Sequence, residues 1–214
     1  MTKVFYTDPY NIDMDVIRKC ADIIKAGGIV AFPTETVYGL GASAFDSAAC
    51  EKIYTAKGRP EKKALSCLVS SIDDASQIAE LNDTAIKLLH SFSPGPLTLV
   101  LPKKKCVSDI VTAGGITVAI RIPDNKIALE LINSCGVPLA APSANISGMP
   151  SPKNAKDVLS QLDGKIDALI DGGVCSIGTE STIVMIKNSK GTILRQGALS
   201  RSKIAEYVEL TDNG

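Results

Sequence analysis

The chain has 214 residues, 45% hydrophobic and 21% charged, which are ordinary globular values and exclude disorder, collagen and coiled coil. A chain of this length buries roughly 70% of its unfolded surface and needs no disulfide or metal staple. Lys plus Arg and Asp plus Glu number 23 each, so the net charge is zero and a long non-specific nucleic-acid tract is excluded. Strand and helix signals alternate from the N-terminus onward. Val4–Tyr6 reads as a short strand. Ile12–Ala26 reads as a helix with Ile12, Val16, Ile17, Cys20, Ile23 and Ile24 on one face, stopped by Gly27-Gly28. Ile29–Phe32 is a buried strand. A helix over residues 46–56 is capped by Asp46 or Ser47. Leu65–Val69 is a strand, and two short helices occupy 72–92. Leu97–Leu101 and Thr117–Ile122 are strands, followed by a helix over Lys126–Ser134 and a short strand at Leu139–Ala141. Lys153–Leu162 is helical. Ala168–Asp171, Thr182–Ile186 and Thr192–Arg195 are strands, Ser202–Leu210 is a final helix, and the last four residues fray.

This order predicts one α/β domain around an open, twisted, mixed sheet with flanking helices. No segment approaches the ~20 apolar residues of a membrane span. The N-terminal MTKVFYTDPYNID has no apolar core of a signal peptide. The six cysteines, at 20, 50, 67, 106, 135 and 175, form no C-x-x-C pair. That usage fits reduced, mostly buried thiols and a cytoplasmic location. His90, the single histidine, lies beside Ile86 and Leu89 on an apolar helical face and reads as structural.

Four stretches gather polar residues at strand ends. The first is Pro33 to Gly41, PTETVYGLG, which leaves a buried strand where open α/β sheets place their ligands. In an extended segment Thr34 and Thr36 point one way and Glu35 the other. Two hydroxyls on one side suit a small polar ligand; equally, they suit a turn whose Thr residues satisfy nearby backbone groups. Gly39 to Ala44 also matches G-x-G-x-x-A, but without the strand-to-helix context of a dinucleotide fingerprint. The second stretch is Lys57-Gly58-Arg59-Pro60. Pro60 forces Arg59 out of the helical region. On an extended exit Lys57 and Arg59 face the same way and suit a phosphate; the alternative is a basic helix end favoured by the macrodipole.

In the third stretch, Thr117 to Pro123, Val118, Ile120 and Ile122 share one face, and Thr117, Ala119 and Arg121 the other. An Arg beside a small Ala and a Thr suggests a polar cavity and a carboxylate or phosphate partner, against the alternative of a surface Arg on an edge strand. The fourth is Leu139 to Pro152, where Ser143 and Asn145 recur two apart after a strand. They suit ribose or phosphate oxygens, or turn and N-cap chemistry. Ser181 and Arg195 are smaller candidates.

Taken together, PTETVYGLG, KGRP, PGPLTLVL, TVAIRIP, APSANISGMPSP, ESTIV and ILRQG, in this order, resemble the YrdC-type family of threonylcarbamoyl-AMP synthases. The resemblance covers about residues 12–210 and includes the two signature pairs, Lys57-x-Arg59 and Ser143-x-Asn145. It looks like the short, single-domain form, with a YrdC-like sheet and a central positive cavity. It implies that L-threonine, bicarbonate (or CO2) and ATP give threonylcarbamoyl-AMP and pyrophosphate, with Mg2+ accompanying ATP. The product would feed a separate tRNA threonylcarbamoyl transferase complex. By the same resemblance Thr36, Arg121, Ser181 and the backbone at Ala141 match positions that hold threonine. Lys57, Arg59, Thr117, Ser143, Asn145, Ser151 and Arg195 match positions around ATP, with Lys57 and Arg59 as the catalytic charge-neutralising pair.

One segment departs from the family. Where many members read N-P-L-I-V-H after KGRP, this chain has Lys63-Ala64-Leu65-Ser66-Cys67-Leu68. Lys63 can still reach a phosphate; Leu68 replaces a histidine that touches threonine and cannot hydrogen-bond. The Mg2+ ligands are not identified by any motif. The rival reading is a double-stranded RNA-binding module without catalysis. Zero net charge, five tyrosines, four phenylalanines and no tryptophan argue against a broad RNA platform and leave only weak RNA contact.

Overall fold

The computed structural model describes residues 1–211. Short apolar runs bounded by Gly, Pro and Asx residues form the strands, and each longer helix starts on a side-chain cap. β1 is Lys3–Tyr6 and α1 is Met14–Lys25, whose N-cap Asp13 accepts from the Asp15 amide. β2 (Val30–Phe32) and β3 (Gly39–Ser43) lead into α2, Ser47–Lys57, capped by Asp46 and closed by Gly58 in the left-handed region at φ 55°. β4 is Ser66–Leu68, α3 Ile72–Ile78, α4 Asp83–Phe92, β5 Leu97–Pro102 and α5 Asp109–Thr112. β6 (Thr117–Arg121), α6 (Lys126–Cys135), β7 (Leu139–Ala140) and α7 (Ala155–Leu162) follow. β8 (Ala168–Asp171), β9 (Thr182–Lys187), β10 (Lys190–Arg195), α8 (Arg201–Ala205) and β11 (Leu210–Thr211) complete the described chain.

The strands form one mixed sheet in the order β1-β8-β2-β3-β7-β4-β6-β5-β9-β10-β11. β6 lies between its parallel neighbour β4 and its antiparallel neighbour β5, so Arg121 belongs to a central strand and not to an edge. Period-two alternation divides the side chains between two layers. Leu97, Leu99 and Leu101, Val118 and Ile120, and Val184 and Ile186 enter the larger core with α2, α4 and α7. Val30 and Phe32 turn the other way, into a second core beneath α1 and α6, while Ala31 joins the first. The residues in between, Thr98, Val100, Ala119, Arg121 and Ile183, are left to line a cavity.

Three expectations change. β3 lies where no element was predicted: Gly41 makes it a poor strand by propensity, but an added Cβ there would stand 2.6 Å from Phe32 Cε1, so the close pairing with β2 requires glycine. The expected helix over 202–210 is only α8; Leu210 instead pairs in β11 with Gly191 of β10. The predicted fraying falls on residues 211–214; Thr211 is paired in β11, and 212–214 lie outside the described residues. No helix among the described residues is long and apolar enough to cross a membrane.

Candidate active site

A cavity of about 280 Å³ opens over the centre of the sheet. Its wall is assembled from chain segments far apart in sequence: Thr34 and Thr36 after β2, Arg59 after α2, Ser66 and Leu68 of β4, Thr98 of β5, Ala119 and Arg121 of β6, Ala141 and Ser143 after β7, Glu180 and Ser181 before β9, and Arg195 of β10.

Thr34 and Thr36 lie in a turn. Thr34 Oγ1 donates to the Val37 carbonyl at 2.7 Å and lies 2.9 Å from Thr36 Oγ1. Thr34 therefore serves the backbone as the turn reading expects, and both Thr34 and Thr36 line the cavity. Glu35, between them, is absent from the lining. Arg121 is buried, and its Nε donates to the Gly95 carbonyl at 3.2 Å. Its Nη2 is 2.7 Å from Glu35 Oε2, although their approach lies off the hydrogen-bonding directions. Ser181 Oγ is 2.8 Å from Thr98 Oγ1. Arg195 donates from Nη2 to the Ser181 carbonyl at 2.9 Å, and its Nη1 lies 2.8 Å from Glu180 Oε2. Ser151 Oγ donates to Glu180 Oε1 at 2.5 Å, which ties Ser151 to the cavity from behind.

The two signature pairs divide into residues that face the cavity and residues that support it. Lys57 is 1% exposed. Its Nζ donates to the carbonyls of Ser143 and, at 2.6 Å, of Asn145, and lies 3.3 Å from Asn145 Oδ1. Asn145 Oδ1 also accepts from Ser143 Oγ at 2.5 Å, and Nδ2 donates to the Met149 carbonyl at 2.6 Å. Lys57 and Asn145 thus hold the 143–149 loop and are absent from the lining, whereas Arg59 and Ser143 face the cavity. The expected common face of Lys57 and Arg59 is corrected: Gly58 is left-handed, not extended, so the two side chains diverge. Arg59 donates from Nε to the Lys63 carbonyl at 3.0 Å and from Nη2 to the Ala64 carbonyl at 2.7 Å. Burial, then the Arg59 charge, pulls Lys57 down to about 7, with Glu180 opposing.

Lys63 is exposed and Thr117 half-buried, and neither lines the cavity. Leu68 does, as the register partner of Arg121 across β4 and β6. Thr98, Glu35 and Glu180 are site residues that motif reading passed over. The signal for Thr98 was a hydroxyl inside the apolar strand LTLVLP, and for the two acids their position inside quoted motifs. Among the described residues no group of three or more His, Cys, Asp or Glu side chains comes together. The cations that line the cavity are Arg59, Arg121 and Arg195.

A mixed α/β sheet that carries a basic, hydroxyl-lined cavity over its centre defines a recognisable class. The Sua5/YciO/YrdC family pattern, described as telomere recombination, matches residues 22–197, and the chain belongs to this family. It is 46% identical over 193 residues to the threonylcarbamoyl-AMP synthase of Pyrococcus abyssi (strain GE5 / Orsay), covering 90% of this chain and 57% of that protein. It is 45% identical over 207 residues to the threonylcarbamoyl-AMP synthase of Bacillus subtilis (strain 168), covering 94% of this chain and 59% of that one. The crystal structure of P. abyssi Sua5 complexed with L-threonine superposes with a TM-score of 0.94 at 42% identity, over 98% of this chain and 63% of that chain. The chain therefore spans less than two thirds of the length of these relatives.

Proposed function

We propose that this chain is an L-threonylcarbamoyladenylate synthase, a nucleotidyltransferase that converts L-threonine, bicarbonate (or CO2) and ATP into threonylcarbamoyl-AMP and pyrophosphate. One observation carries the reading: Thr36, Arg121 and Ser181 share a single cavity with Arg59, Ser143 and Arg195. In this reading the residues assigned to the threonine carboxylate and those assigned to the phosphates open on one space. The names of the relatives and the threonine complex of the P. abyssi protein support the same assignment.

In this reading Arg121 pairs with the threonine carboxylate, and Thr36, Ser181 and the Ala141 backbone surround the amino acid. The threonine amine attacks CO2, forms the N–C bond and gives up a proton. A carbamate oxygen then attacks the α-phosphorus, and pyrophosphate leaves; from bicarbonate, one water is also released. Arg59 and Arg195 neutralise the phosphates, and Ser143 adds a hydroxyl. Lys57 and Asn145 act through the loop they hold, and Ser151 through Glu180. Lys63 and Thr117 are assigned to ATP on the family match alone. Mg2+ accompanying ATP would supply further charge neutralisation. Catalysis is alignment and electrostatics, with no protein nucleophile. The product would pass to a cytoplasmic tRNA threonylcarbamoyl transferase complex.

The test is pyrophosphate release from ATP, with threonine and bicarbonate omitted in turn. Release that needs both is the expected result. Release indifferent to threonine points to another acceptor, and no release from folded protein with Mg2+ favours the RNA-binding reading. Arg121→Ala should raise the threonine KM about 10- to 100-fold, the worth of one charge-assisted hydrogen bond, while the ATP KM stays near normal. A raised ATP KM with unchanged threonine dependence would reverse the two ends of the cavity.

A further inference from the structure

The reaction above gives Glu35 nothing to do. Yet its side chain is 5% exposed, and it faces Arg121, 8% exposed, across 2.7 Å. Neither Glu35 oxygen, nor Arg121 Nη2, makes a well-directed hydrogen bond to a described residue. Thr34 and Thr36 line the cavity on either side of Glu35, which stands behind the wall. The guanidinium is held at two points, by Glu35 at Nη2 and by the Gly95 carbonyl at Nε, and it reaches the cavity past them. The Glu35 carbonyl also accepts from the Ile177 amide at 2.8 Å, in the segment that leads to Glu180 and Ser181.

We propose that Glu35 is a positioning and specificity residue for the amino-acid end of the cavity, and that its buried charge makes the site select a zwitterion over a plain carboxylate. The proposal rests on the synthase reading. An unpaired buried arginine would attract any carboxylate. Paired with Glu35, its charge is already balanced. A simple anion entering beside the pair adds a second carboxylate to the Glu35–Arg121 cluster and leaves that cluster net negative in a region of low effective dielectric, although Arg59 and Arg195 also line the cavity, Arg195 paired with Glu180. An α-amino acid brings its own ammonium group, so the cluster of two carboxylates, one guanidinium and one ammonium stays neutral. Glu35 also fixes the guanidinium before the ligand arrives, so less side-chain freedom is lost on binding.

The experiment compares L-threonine with 3-hydroxybutyrate, which is threonine with hydrogen in place of the amine, by calorimetric titration of the full chain. Wild-type protein should bind threonine at least about tenfold more tightly. Glu35→Gln should weaken threonine, strengthen 3-hydroxybutyrate and bring the ratio towards one, with ATP affinity unchanged. Glu35→Asp should restore most of the ratio. Proportional weakening of both ligands in Glu35→Gln, or an unaltered ratio, would reduce Glu35 to a structural role and overturn the proposal. If Glu35→Gln does not fold, the wild-type comparison decides, since equal affinity for the two ligands also overturns it. Wild-type protein that binds ATP but no threonine defeats the synthase reading itself, a result distinct from a lost ratio.

Discussion

Lys57 lies in a shell of three oxygens from Ser143 and Asn145, so its ammonium is removed from bulk water but not from hydrogen-bond acceptors. Burial and Arg59 pull it down to about 7 from an ordinary 10.5. Between those values the unfolded chain holds a proton that the folded chain does not, so stability rises with pH across this window and the penalty is fully present only below it. From pH 7 to pH 9 wild-type protein should gain about 2 kcal/mol from this group. Lys57→Met should lack that increment, and urea unfolding of both proteins at the two pH values measures it. A wild-type gain no larger than that of the variant would mean that the oxygen shell keeps the ammonium charged. The sequence spacing left Lys57 and Arg59 open between a shared phosphate site and a basic helix end. It did not show that one faces inward, because the left-handed turn at Gly58 is a choice between backbone conformations that glycine permits equally.

At the scale of the strand, β6 shows alternation deciding function. Ile120 is fully buried in the main core, and Ala119, its neighbour, lines the cavity. Ile120→Ala should therefore cost about 2–5 kcal/mol in urea unfolding while leaving the KM values for threonine and ATP nearly unchanged. Ala119→Leu should do the reverse, keeping the unfolding free energy within about 1 kcal/mol of wild type and abolishing pyrophosphate release by filling the cavity. Equal effects of the two changes on both measurements would refute the division of faces. Alternation of this kind was legible beforehand: the split of Val118 and Ile120 from Ala119 and Arg121 is present in the residue order itself. The strand β3 was not, since Gly39, Leu40 and Gly41 have neither the period nor the propensity of a strand, and only Phe32 packed against Gly41 shows why glycine is needed.

Across the whole molecule, the cavity depends on ties between segments far apart in the chain. Tyr38 is one of them. Fully buried beside β3, its hydroxyl donates to the Gly173 carbonyl at 2.7 Å and accepts from the Gly172 amide at 3.3 Å, 134 residues away. Tyr38→Phe should leave both backbone groups unmatched and lower stability by about 1–3 kcal/mol. Because the segment after Gly173 continues to Glu180 and Ser181, threonine use should weaken too, as a raised KM at a temperature where the variant is folded. A variant as stable and active as wild type would show that this tie does not hold the cavity wall.

By itself the sequence determined the class of fold, nearly every element, the alternating faces of the central strands and most of the polar residue types that line the cavity. These are local properties, set by hydrophobic period, capping and turn chemistry within a few residues. Only the tertiary structure decided which members of each motif face the cavity. Strand order placed Arg121 between β4 and β5, brought Thr98 to Ser181 and set Glu35 behind Arg121. The physical reason is that a buried polar group takes its role from its partner, and these partners lie 86 residues from Lys57 to Ser143 and 83 from Thr98 to Ser181, beyond the reach of any local pattern.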